Sequence, residues 1–325
     1  METGRERIGV LIPCYNEELT VGKVIDDFRR ELPEAEIVVY DNRSTDRTSQ
    51  IALERGARVV YEPRGGKGYV IESMFNNSDY DIIVMADGDD TYPADKVHDL
   101  LQPIRDNKAH MTVGARLSDY QNESFRSLHV MGNNLVRTLV NWVGQGELTD
   151  ILSGYRAISR HVLERLPIVS QGFEVETEMT LQMLYYHLHI VEVPIPYGVR
   201  PEGSTSKLNT FRDGFRVLYT LFNLFRSIKP LTFFGSLGLL LFFLGLVAGY
   251  FPVSEYFLNA DHYITHVPLA ILASGLVLAS VGFVFLGIVL HAVNWRFREL
   301  HNVLTRTHYL GIKSRDTKME ETGLS

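Results

Sequence analysis

The chain has 325 residues, of which 45% are hydrophobic and 22% are charged, and its net charge is −7 at pH 7. This length exceeds one average domain of about 100–200 residues, and a mildly acidic chain without a long basic run is not a typical nucleic-acid-binding protein. The single cysteine, Cys14, excludes an intrachain disulfide and fits a cytoplasmic setting for the soluble part, and we interpret it as a buried structural residue rather than a nucleophile.

The first 208 residues alternate short apolar runs with segments of helical character. Strands are predicted at residues 8–12, 36–40, 58–61, 81–86 and 111–113, and helices at residues 19–32, 45–55, 67–76 and 94–107. This order predicts an α/β fold, in which a mainly parallel sheet carries helices on both faces. Ligands bind at the carboxyl ends of the strands in such sheets, so the residues that follow each strand are candidates for chemistry.

Polar clusters follow four of these predicted strands. They begin at Pro13, Asp41, Arg64 and Asp87 and read P-C-Y-N-E-E, D-N-R-S-T-D, R-G-G-K-G and D-G-D-D. Because parallel strands end at the same edge of a sheet, we expect the four clusters to meet there. The sequence therefore predicts one binding site rather than four unrelated loops.

Residues 209–230 are predicted to form an amphipathic juxtamembrane helix. Its aromatic and aliphatic residues recur at spacings of three and four, with arginines between them. The apolar positions are Phe211, Phe215, Leu218, Tyr219, Phe222 and Phe225. This pattern favours a helix that lies in the membrane interface, and a helix packed on the soluble domain's own core is the alternative.

Two uncharged apolar runs follow, at residues 231–251 and 267–290. Each is longer than the roughly 18–20 residues that cross the hydrocarbon core, so we predict transmembrane helices at residues 231–251 and 267–293. Buried helices of a soluble protein are the alternative. Gly245 and Gly249 form a G-x-x-x-G pattern in the first run, which can mark a helix-packing face.

Basic residues set the expected orientation of the two spans. The connection at residues 252–266 contains Glu255 and Asp261 but neither Lys nor Arg. The basic residues that flank the spans are Arg226, Lys229, Arg296, Arg298 and Arg306. Since positive residues stay in the cytoplasm, we expect an extracytoplasmic loop at residues 252–266 and a cytoplasmic tail at residues 294–325, with both termini inside.

The motifs together resemble family 2 glycosyltransferases, whose nucleotide-sugar domain has the Rossmann-like GT-A fold. P-x-Y-N-E from Pro13, D-x-x-S-T-D from Asp41 and D-x-D from Asp87 stand in that family's order. D-I-L-S-G-Y-R from Asp150 resembles the D-x-x-S-G-[FY]-R segment of its polyprenyl-phosphate branch. R-P-E-G-S-T-S-K from Arg200 resembles the R-x-x-G-x-S-K segment that precedes the membrane region of dolichol-phosphate-mannose synthases.

The two-span layout is most similar to the bactoprenol glucosyltransferases. The resemblance implies a GT-A domain at residues 1–208, and a metal-dependent inverting enzyme that transfers a hexose from a nucleotide diphosphate sugar to undecaprenyl or dolichyl phosphate. UDP-glucose is the first expectation for the donor and GDP-mannose the second. The product would be a lipid-linked phosphosugar for glycan or cell-surface polysaccharide assembly, made at the cytoplasmic face of the inner membrane by a homotetramer.

The resemblance places the donor nucleotide against the loops after the first three strands. Pro13, Tyr15 and Glu17 would line its pocket, and Asp41 would accept a hydrogen bond from the imide edge of the base. Many relatives carry two adjacent acids at this last position, where this chain has Asp41 and Asn42. The nucleotide base that the pocket prefers is therefore left open.

Lys67 stands in a Gly-Gly-Lys-Gly turn that opens a predicted helix. Backbone amides and the positive end of a helix favour a phosphate at such a place. A plain helix-start turn is an equal alternative.

Asp87 and Asp89 are predicted to hold Mg²⁺ or Mn²⁺. A hard divalent cation takes oxygen ligands and neutralises the charge of the departing diphosphate. The resemblance gives the metal to Asp89, and either the ribose or the metal to Asp87. Asp90 is an additional acid that could substitute, and a solvated acidic turn is the alternative to a metal site.

Two phosphorylated substrates would need positively charged and hydrogen-bonding side chains around their phosphates. The candidates for phosphate binding are Arg116, Arg126, Arg200, Ser206 and Lys207. Arginine binds phosphate through a planar pair of donors, and lysine acts as a mobile point charge. The predicted catalytic residues are Asp150, Asp89 and Arg126. Because a phosphate acceptor is already an anion, we expect Asp150 to orient the sugar or the arginines at least as much as to act as a base. Glu174 and Glu176 are the alternative acids.

Three other functions remain in view. A processive polysaccharide synthase would carry a Q-x-x-R-W segment and more spans, and neither Trp142 nor Trp295 fits that pattern. An inactive sugar-nucleotide fold that serves as a membrane partner would show no metal-dependent turnover. A family 2 transferase with another lipid or protein acceptor would label a different product from radioactive sugar nucleotides.

Overall fold

The computed structural model describes residues 6–116, 137–138, 140–142, 146–163, 165–198, 200–201, 210–259, 261 and 263–322. The chain divides into two compact units, Met1–Leu224 and Phe225–Ser325.

Seven strands within the described residues form one sheet in the first unit. They are β1 Ile8–Cys14, β2 Glu36–Asp41, β3 Arg58–Tyr61, β4 Ile82–Met85, β5 Met111–Arg116, β6 Arg156–Ser159 and β7 Ile190–Ile195. Their order across the sheet is β3-β2-β1-β4-β6-β5-β7. Only β6 runs antiparallel to its neighbours β4 and β5, so the predicted mainly parallel sheet is confirmed.

The strands β6 and β7 were not predicted from the sequence. The four residues of β6 begin with a charged side chain, Arg156, and β7 contains Glu192 and Pro194. Neither segment therefore shows the clean apolar pattern by which strands are recognised.

Helices connect most of the strands in the first unit. They are α1 Val21–Glu31, α2 Thr48–Glu54, α3 Lys67–Asn77, α4 Val97–Arg105 and α5 Val175–Tyr185. A 3₁₀ turn at Ala94–Lys96 precedes α4, and a single helical turn at Arg160–Leu163 follows β6. The helices predicted before residue 108 are thus confirmed, with α4 shorter than expected at both ends.

Two hydrophobic clusters lie on the two faces of the sheet. Val10 and Ile12 of β1 belong to one cluster, whereas Leu11 between them belongs to the other. This alternation follows from the two-residue repeat of a strand, and both faces are apolar because helices cover both. The rigid sheet leaves its carboxyl edge as the place where polar loops can gather.

Three further helices follow the sheet in the chain, α6 Thr210–Ile228, α7 Pro230–Leu258 and α8 Val267–Thr322. Residues Pro230–Leu258 and Val267–Phe297 are long and apolar enough to cross a membrane, and only 11% of the most apolar window of each is buried. Such low burial is unlike that of a core helix in a soluble protein. The predicted spans at residues 231–251 and 267–293 lie within these two helices, and α6 covers most of the predicted juxtamembrane helix.

Small residues lie where α7 and α8 pack together. A Cβ atom on Gly245 would lie 2.8 Å from Val277 Cγ2, and one on Gly249 would lie 3.5 Å from Ala273 Cβ. The predicted packing face at Gly245 and Gly249 is therefore confirmed. Buried residues recur every seven positions, at Gly238, Gly245 and Pro252 on α7 and at Ala273, Ser280 and Gly287 on α8. A seven-residue period is typical of helices that pack with a left-handed crossing.

Candidate functional site

The carboxyl edge of the sheet collects the predicted site residues. Asp41 and Arg116 are the last residues of β2 and β5, and Asp87 follows β4 by two residues. Because β6 runs in the opposite direction, the segment that leads into it from Asp150 also reaches this edge. The structure therefore brings the polar loops that follow β2, β4 and β5 to the same edge of the sheet as the Asp150 motif.

The loops after β1 and β2 are held together by hydrogen bonds that involve backbone amides. The Asn16 amide donates to Ser44 Oγ at 2.9 Å, and the Glu17 amide donates to Thr48 Oγ1 at 2.8 Å. Glu17 is buried, Pro13 is half-buried, and Tyr15 keeps 46% of its surface exposed. The exposed Tyr15 ring is thus available for stacking beside a rigid loop pair.

Asp41 and Asn42 have different partners. Asp41 is buried, and its carboxylate accepts from the Ser44 amide at 2.8 Å and from Ser49 Oγ at 2.5 Å. Asn42 Nδ2 donates to the Arg64 carbonyl at 2.6 Å, while Asn42 Oδ1 accepts from the Gly66 amide at 2.8 Å. A carboxylate could not donate to that carbonyl, which explains in structural terms why this position holds an asparagine rather than a second acid.

The glycines of the Gly-Gly-Lys-Gly turn are required by a close backbone contact. A Cβ atom on Gly66 would lie 2.1 Å from the Gln171 carbonyl oxygen, and one on Gly68 would lie 1.9 Å from the Ser170 carbonyl oxygen. Gly66 also has φ of +140°, which side chains disfavour. The turn is thereby fixed against the segment that leads into α5.

Lys67, which lies in this turn, forms ion pairs with two carboxylates from other parts of the chain. Its Nζ lies 2.7 Å from Asp87 Oδ1 and 2.7 Å from Glu176 Oε1, and its side chain is only 12% exposed. Burial alone would lower the pKa of Lys67, but the charges of Asp87 and Glu176 raise it above its ordinary value. The lysine therefore stays protonated and positions Asp87. Its role in binding a phosphate stays a prediction.

Of the two alternative acids, Glu176 reaches the site and Glu174 supports a nearby loop. Glu176 is buried in the first turn of α5, where it binds Lys67. Glu174 Oε1 accepts from the Gly172 amide at 3.1 Å. No local motif distinguishes the two in the sequence, because the partner of Glu176 lies far away in the chain.

Asp89 is buried between a threonine and an arginine. Its Oδ1 accepts from Thr91 Oγ1 at 2.5 Å, and its Oδ2 lies 2.5 Å from Arg200 Nη2. Burial, followed by the charge of Asp87, raises the pKa of Asp89, although Thr91 and Arg200 oppose this. Asp89 is thus a buried carboxylate close to a second one, with Arg200 as its counter-ion.

Asp90 lies outside this arrangement. It adopts φ of +60°, and its Oδ1 lies 2.6 Å from Lys23 Nζ of α1. Its carboxylate therefore has a partner on the helix, whereas Asp87 and Asp89 have theirs at the edge of the sheet.

The donor set fits a hard cation that is held mainly by its substrate. Across the described ranges, no group of three or more His, Cys, Asp or Glu is placed to hold a metal ion. Asp87 and Asp89 would supply carboxylate oxygens only. Mg²⁺ is commonly bound by one or two carboxylates together with phosphate oxygens and water, so these residues fit Mg²⁺ or Mn²⁺.

Arg116 and Asp150 form a bidentate ion pair. Arg116 Nε lies 2.7 Å from Asp150 Oδ2 and Arg116 Nη2 lies 2.8 Å from Asp150 Oδ1, while the Arg116 amide also donates to Oδ2 at 3.0 Å. Both oxygens of Asp150 are therefore engaged by one arginine. This geometry suits a carboxylate that orients an arginine, and the catalytic role of Asp150 stays a prediction.

Glu192 on β7 anchors the same segment and was missed in the sequence. Its carboxylate accepts from the Asp150 amide at 2.7 Å and from the Thr149 amide at 2.8 Å. Glu192 lies between two valines in β7, and the only feature of the sequence that could have indicated its role is a charged residue within an apolar run.

Arg156, the last residue of the Asp150 motif, has a structural role. It is fully buried, and it donates to the Ile151 carbonyl at 2.7 Å, the Ser153 carbonyl at 2.9 Å and Thr180 Oγ1 at 3.0 Å. Burial lowers its pKa. These bonds fix the segment before β6 against α5.

Gly154, in the same motif, allows Asp87 to approach. A Cβ atom on Gly154 would lie 2.7 Å from Asp87 Oδ2. A side chain at this position would therefore displace the carboxylate that Lys67 holds.

Cys14 is a buried, free cysteine, as predicted. Burial, and then the negative charges of Glu17 and Asp41, raises the pKa of its thiol well above the ordinary value. A Cβ atom on Gly88 would lie 2.5 Å from Cys14 Sγ, so the thiol packs under the loop after β4. The cysteine is thus a packing residue.

Arg126, Ser206 and Lys207 lie outside the described residues, so their predicted roles stay predictions. The described candidates fall into two groups along the edge. Pro13, Tyr15, Glu17 and Asp41 belong to the loops after β1 and β2, and the charged residues form the pairs described above.

A cavity of about 470 Å³ lies at the opposite end of the sheet. It is lined by residues that include Arg7, Glu36, Arg58 and Tyr80. The polar groups that line it have partners within it, since Arg58 Nε lies 2.6 Å from Glu36 Oε1, Tyr80 donates to Glu36 Oε2 at 2.7 Å, and Arg7 pairs with Asp79. Of the predicted site residues that the structure describes, none lines this cavity.

Residues 9–166 match the family described as Glycosyl transferase family 2. Among curated proteins, the chain is 30% identical over 285 residues to glycosyltransferase AglJ of Haloferax volcanii, covering 87% of this chain and 92% of AglJ. It is also 30% identical over 208 residues to a dolichyl-phosphate hexose transferase of the same organism, covering 64% of this chain and 89% of that protein.

Among solved structures, the fold is similar to that of glucosyl-3-phosphoglycerate synthase from Mycobacterium tuberculosis. The match has a TM-score of 0.56 and 26% sequence identity, and it covers 67% of this chain and 80% of the synthase. That structure contains Mn²⁺, uridine diphosphate and glucosyl-3-phosphoglycerate.

Proposed function

The chain belongs to glycosyl transferase family 2, and from this membership we propose that it transfers a hexose from a nucleotide diphosphate sugar to the phosphate of a polyprenyl lipid. The dolichyl-phosphate hexose transferase that it resembles supports this acceptor class. The glucosyl-3-phosphoglycerate synthase structure, which holds Mn²⁺ and uridine diphosphate, supports a nucleotide donor and a divalent cation.

One observation carries the proposal: acids and cations alternate at the carboxyl edge of the sheet. Lys67 pairs with Asp87, Arg200 pairs with Asp89, and Arg116 pairs with Asp150. A site for one neutral ligand would not need three charge pairs side by side. Two phosphorylated substrates and a cation would use both the acids and the bases.

The loops after β1 and β2 would bind the donor nucleotide. Tyr15 has an exposed ring on which a base can stack, and Asp41 carries a buried carboxylate that can accept from the imide edge of the base. Asp87 and Asp89 would hold Mg²⁺ or Mn²⁺, which neutralises the charge of the departing diphosphate when bound. UDP-glucose is the first candidate donor and GDP-mannose the second.

Arg116 and Arg200, with Arg126, Ser206 and Lys207, would bind the acceptor phosphate. An oxygen of that phosphate attacks the anomeric carbon, and the bond from this carbon to the diphosphate breaks. The attacking oxygen is already an anion, so no proton has to leave it and Asp150 acts by orienting Arg116. A single displacement inverts the anomeric centre, and an α-linked product from an α-linked donor, read by NMR, would contradict this mechanism.

The membrane helices would hold the site where the lipid phosphate lies. We propose that α7 and α8 span the membrane with the loop between them outside and the sheet domain in the cytoplasm, in accordance with the positions of Lys and Arg. The exposed Phe215, Tyr219 and Phe222 of α6 suit a helix in the membrane interface. Cysteine accessibility on either side of the membrane tests this orientation.

Lipid labelling tests the function. Membranes that contain the full chain are incubated with radiolabelled UDP-glucose, GDP-mannose or UDP-N-acetylglucosamine, and polyprenyl lipids are then extracted. We expect one donor to label the lipid fraction in the presence of Mg²⁺ or Mn²⁺, and EDTA to abolish the label. Label in protein or polysaccharide with none in lipid would refute the acceptor assignment.

A further inference from the structure

The two carboxylates at the end of β4 are neutralised in different ways. Asp87 is bound by Lys67, which Glu176 also holds from a second direction. Asp89 is bound by Arg200, for which Asp89 is the only ion-pair partner found among the described residues. The cation beside Asp87 is therefore fixed by two acids, and the cation beside Asp89 depends on one.

Arg200 also has an unused donor. Its Nη2 lies 2.5 Å from Asp89 Oδ2, but its Nη1 is buried and finds no hydrogen-bond partner among the described residues. A buried donor without a partner is unfavourable, and a guanidinium normally binds oxyanions through two nitrogens at once. Asp89 thus uses only one of the two terminal nitrogens of Arg200, whereas a phosphate could accept hydrogen bonds from both.

Exposure separates the two cations further. The Lys67 side chain is 12% exposed, whereas that of Arg200 is 30% exposed. Arg200 also begins the segment R-P-E-G-S-T-S-K, which precedes α6 in the chain. Arg200 can therefore leave its carboxylate at a smaller loss than Lys67 can.

We propose that Arg200 is an exchangeable counter-ion of Asp89, which gives up this carboxylate when the divalent cation binds and then uses its freed guanidinium for the acceptor phosphate. The inference rests on the proposed function and deepens it. Asp89 Oδ1 already accepts from Thr91 Oγ1, so Oδ2, which Arg200 occupies, is the oxygen for which a cation would compete. The donor with its cation therefore binds first, and the lipid phosphate binds second.

Direct measurement of Mn²⁺ binding tests the exchange. The full chain in detergent is titrated with Mn²⁺ alone, and free Mn²⁺ is followed by electron paramagnetic resonance. In Arg200→Gln the competitor for Asp89 is gone, so Mn²⁺ should bind roughly tenfold more tightly than in the wild type, while turnover falls. Arg200→Lys keeps the positive charge but loses the paired donors of the guanidinium, and its affinity for Mn²⁺ should lie between those of the wild type and Arg200→Gln.

A matched control is Lys23→Gln, which removes one positive charge beside the neighbouring Asp90. Lys23 Nζ lies 2.6 Å from Asp90 Oδ1, close in the chain to the pair under test. We expect its Mn²⁺ affinity to stay within about twofold of the wild type. If Lys23→Gln tightens Mn²⁺ binding as much as Arg200→Gln, the effect is general electrostatics and the exchange is refuted.

Lipid binding tests the second half of the proposal. Phosphatidylcholine nanodiscs with or without polyprenyl phosphate are mixed with the chain in the presence or absence of Mn²⁺ and UDP. The wild type should bind the phosphate lipid better when Mn²⁺ and UDP are present. Asp89→Asn cannot hold Arg200 as an ion pair, so it should bind the phosphate lipid equally well without Mn²⁺.

The outcomes separate this inference from the proposed function. If the wild type labels no polyprenyl lipid, the function itself fails. If it labels the lipid but Arg200→Gln and Arg200→Lys leave Mn²⁺ affinity unchanged, only the exchange fails. Thermal unfolding of each variant verifies that it is folded. If one of the two Arg200 variants fails to fold, the other still tests the exchange.

Discussion

The two halves of the carboxyl edge are built from different interactions. The loops after β1 and β2 are joined by hydrogen bonds that backbone amides donate, from Asn16 to Ser44 Oγ and from Glu17 to Thr48 Oγ1. The loops around β4, β5 and β7 are joined by ion pairs, such as Lys67 to Glu176 and Arg116 to Asp150. The first half is thus held by directed hydrogen bonds, and the second half is held by paired charges.

This difference matches the two tasks of a transferase. A nucleotide is recognised by its shape and by a few directed hydrogen bonds, which a rigid pocket provides. Phosphates and a cation arrive with their charges, so the residues that receive them need counter-ions until then. Substitutions in the second half should therefore affect catalysis, and those in the first half should affect stability.

The largest effect is expected at Asp89. Asp89→Asn keeps the shape but removes the carboxylate that would hold the cation, so kcat/KM should fall on the order of a thousandfold. Asp90→Asn, whose carboxylate binds Lys23, is the control and should keep nearly full activity. Lipid labelling with purified protein measures both. Full activity in Asp89→Asn would show that the metal assignment is wrong.

The next effect concerns the pair of Arg116 and Asp150. Arg116→Gln and Asp150→Asn should each lower kcat/KM for the lipid phosphate by about 100-fold, since each leaves the other charge partly buried without its partner. The double variant should fall little further, because the two residues act as a unit. Arg105→Gln, which breaks an exposed pair with Glu6, should leave activity unchanged.

The pH profile distinguishes an orienting role from a base. If Asp150 only orients Arg116, Asp150→Asn lowers kcat/KM without moving the pH at which kcat rises. The loss of an acidic limb from the wild-type profile in Asp150→Asn would instead identify Asp150 as the base.

A smaller effect, on stability, is expected at Asn42. Asn42→Asp removes the amide that donates to the Arg64 carbonyl, and it should reduce the free energy of unfolding by about 1–3 kcal/mol. The melting temperature of the full chain in detergent should fall by several degrees. Asn76→Asp, at an exposed position on α3, should change it little. An unchanged melting temperature in Asn42→Asp would show that the hydrogen bonds in this half are not what holds the loops.

The smallest effect concerns His110, at the far end of the sheet. His110 lies between the rings of His161 and His189, with centroids at 5.3 and 5.7 Å. Burial, then the charges of His189 and Arg165, lowers the pKa of His110 below its ordinary value of 6.5. The unfolded chain therefore binds more protons there, so stability falls as the pH drops through 6.5.

His110→Gln measures this contribution directly. The variant should lose less in melting temperature than the wild type between neutral and mildly acidic pH, while lipid labelling stays unchanged. An equal loss in both proteins would assign the acid sensitivity to other groups.

The sequence predicted the first half of the edge better than the second. In the first half, residues 8–12 and 36–40 are short apolar runs, and each is followed by its own polar loop, so local order was enough to place Tyr15 and Asp41. The same local order placed Asp87 and Asp89 after β4, in the second half. The partners Glu176 and Glu192 come from segments far along the chain, and only the folded sheet brings them to Lys67 and Asp150. Arg156, the last residue of the Asp150 motif, is buried and binds backbone carbonyls, and no sequence pattern indicated these partners.

The single reversed strand β6 has a consequence for how such a protein can diverge. Because β6 runs antiparallel to β5, the connection between them leaves and re-enters the sheet at the same edge. That connection can be lengthened, shortened or exchanged while every parallel pair keeps its register. On the proposed assignment of Arg126 and Asp150 to the acceptor side, this connection is where acceptor preference could be engineered while the loops proposed for the nucleotide are kept.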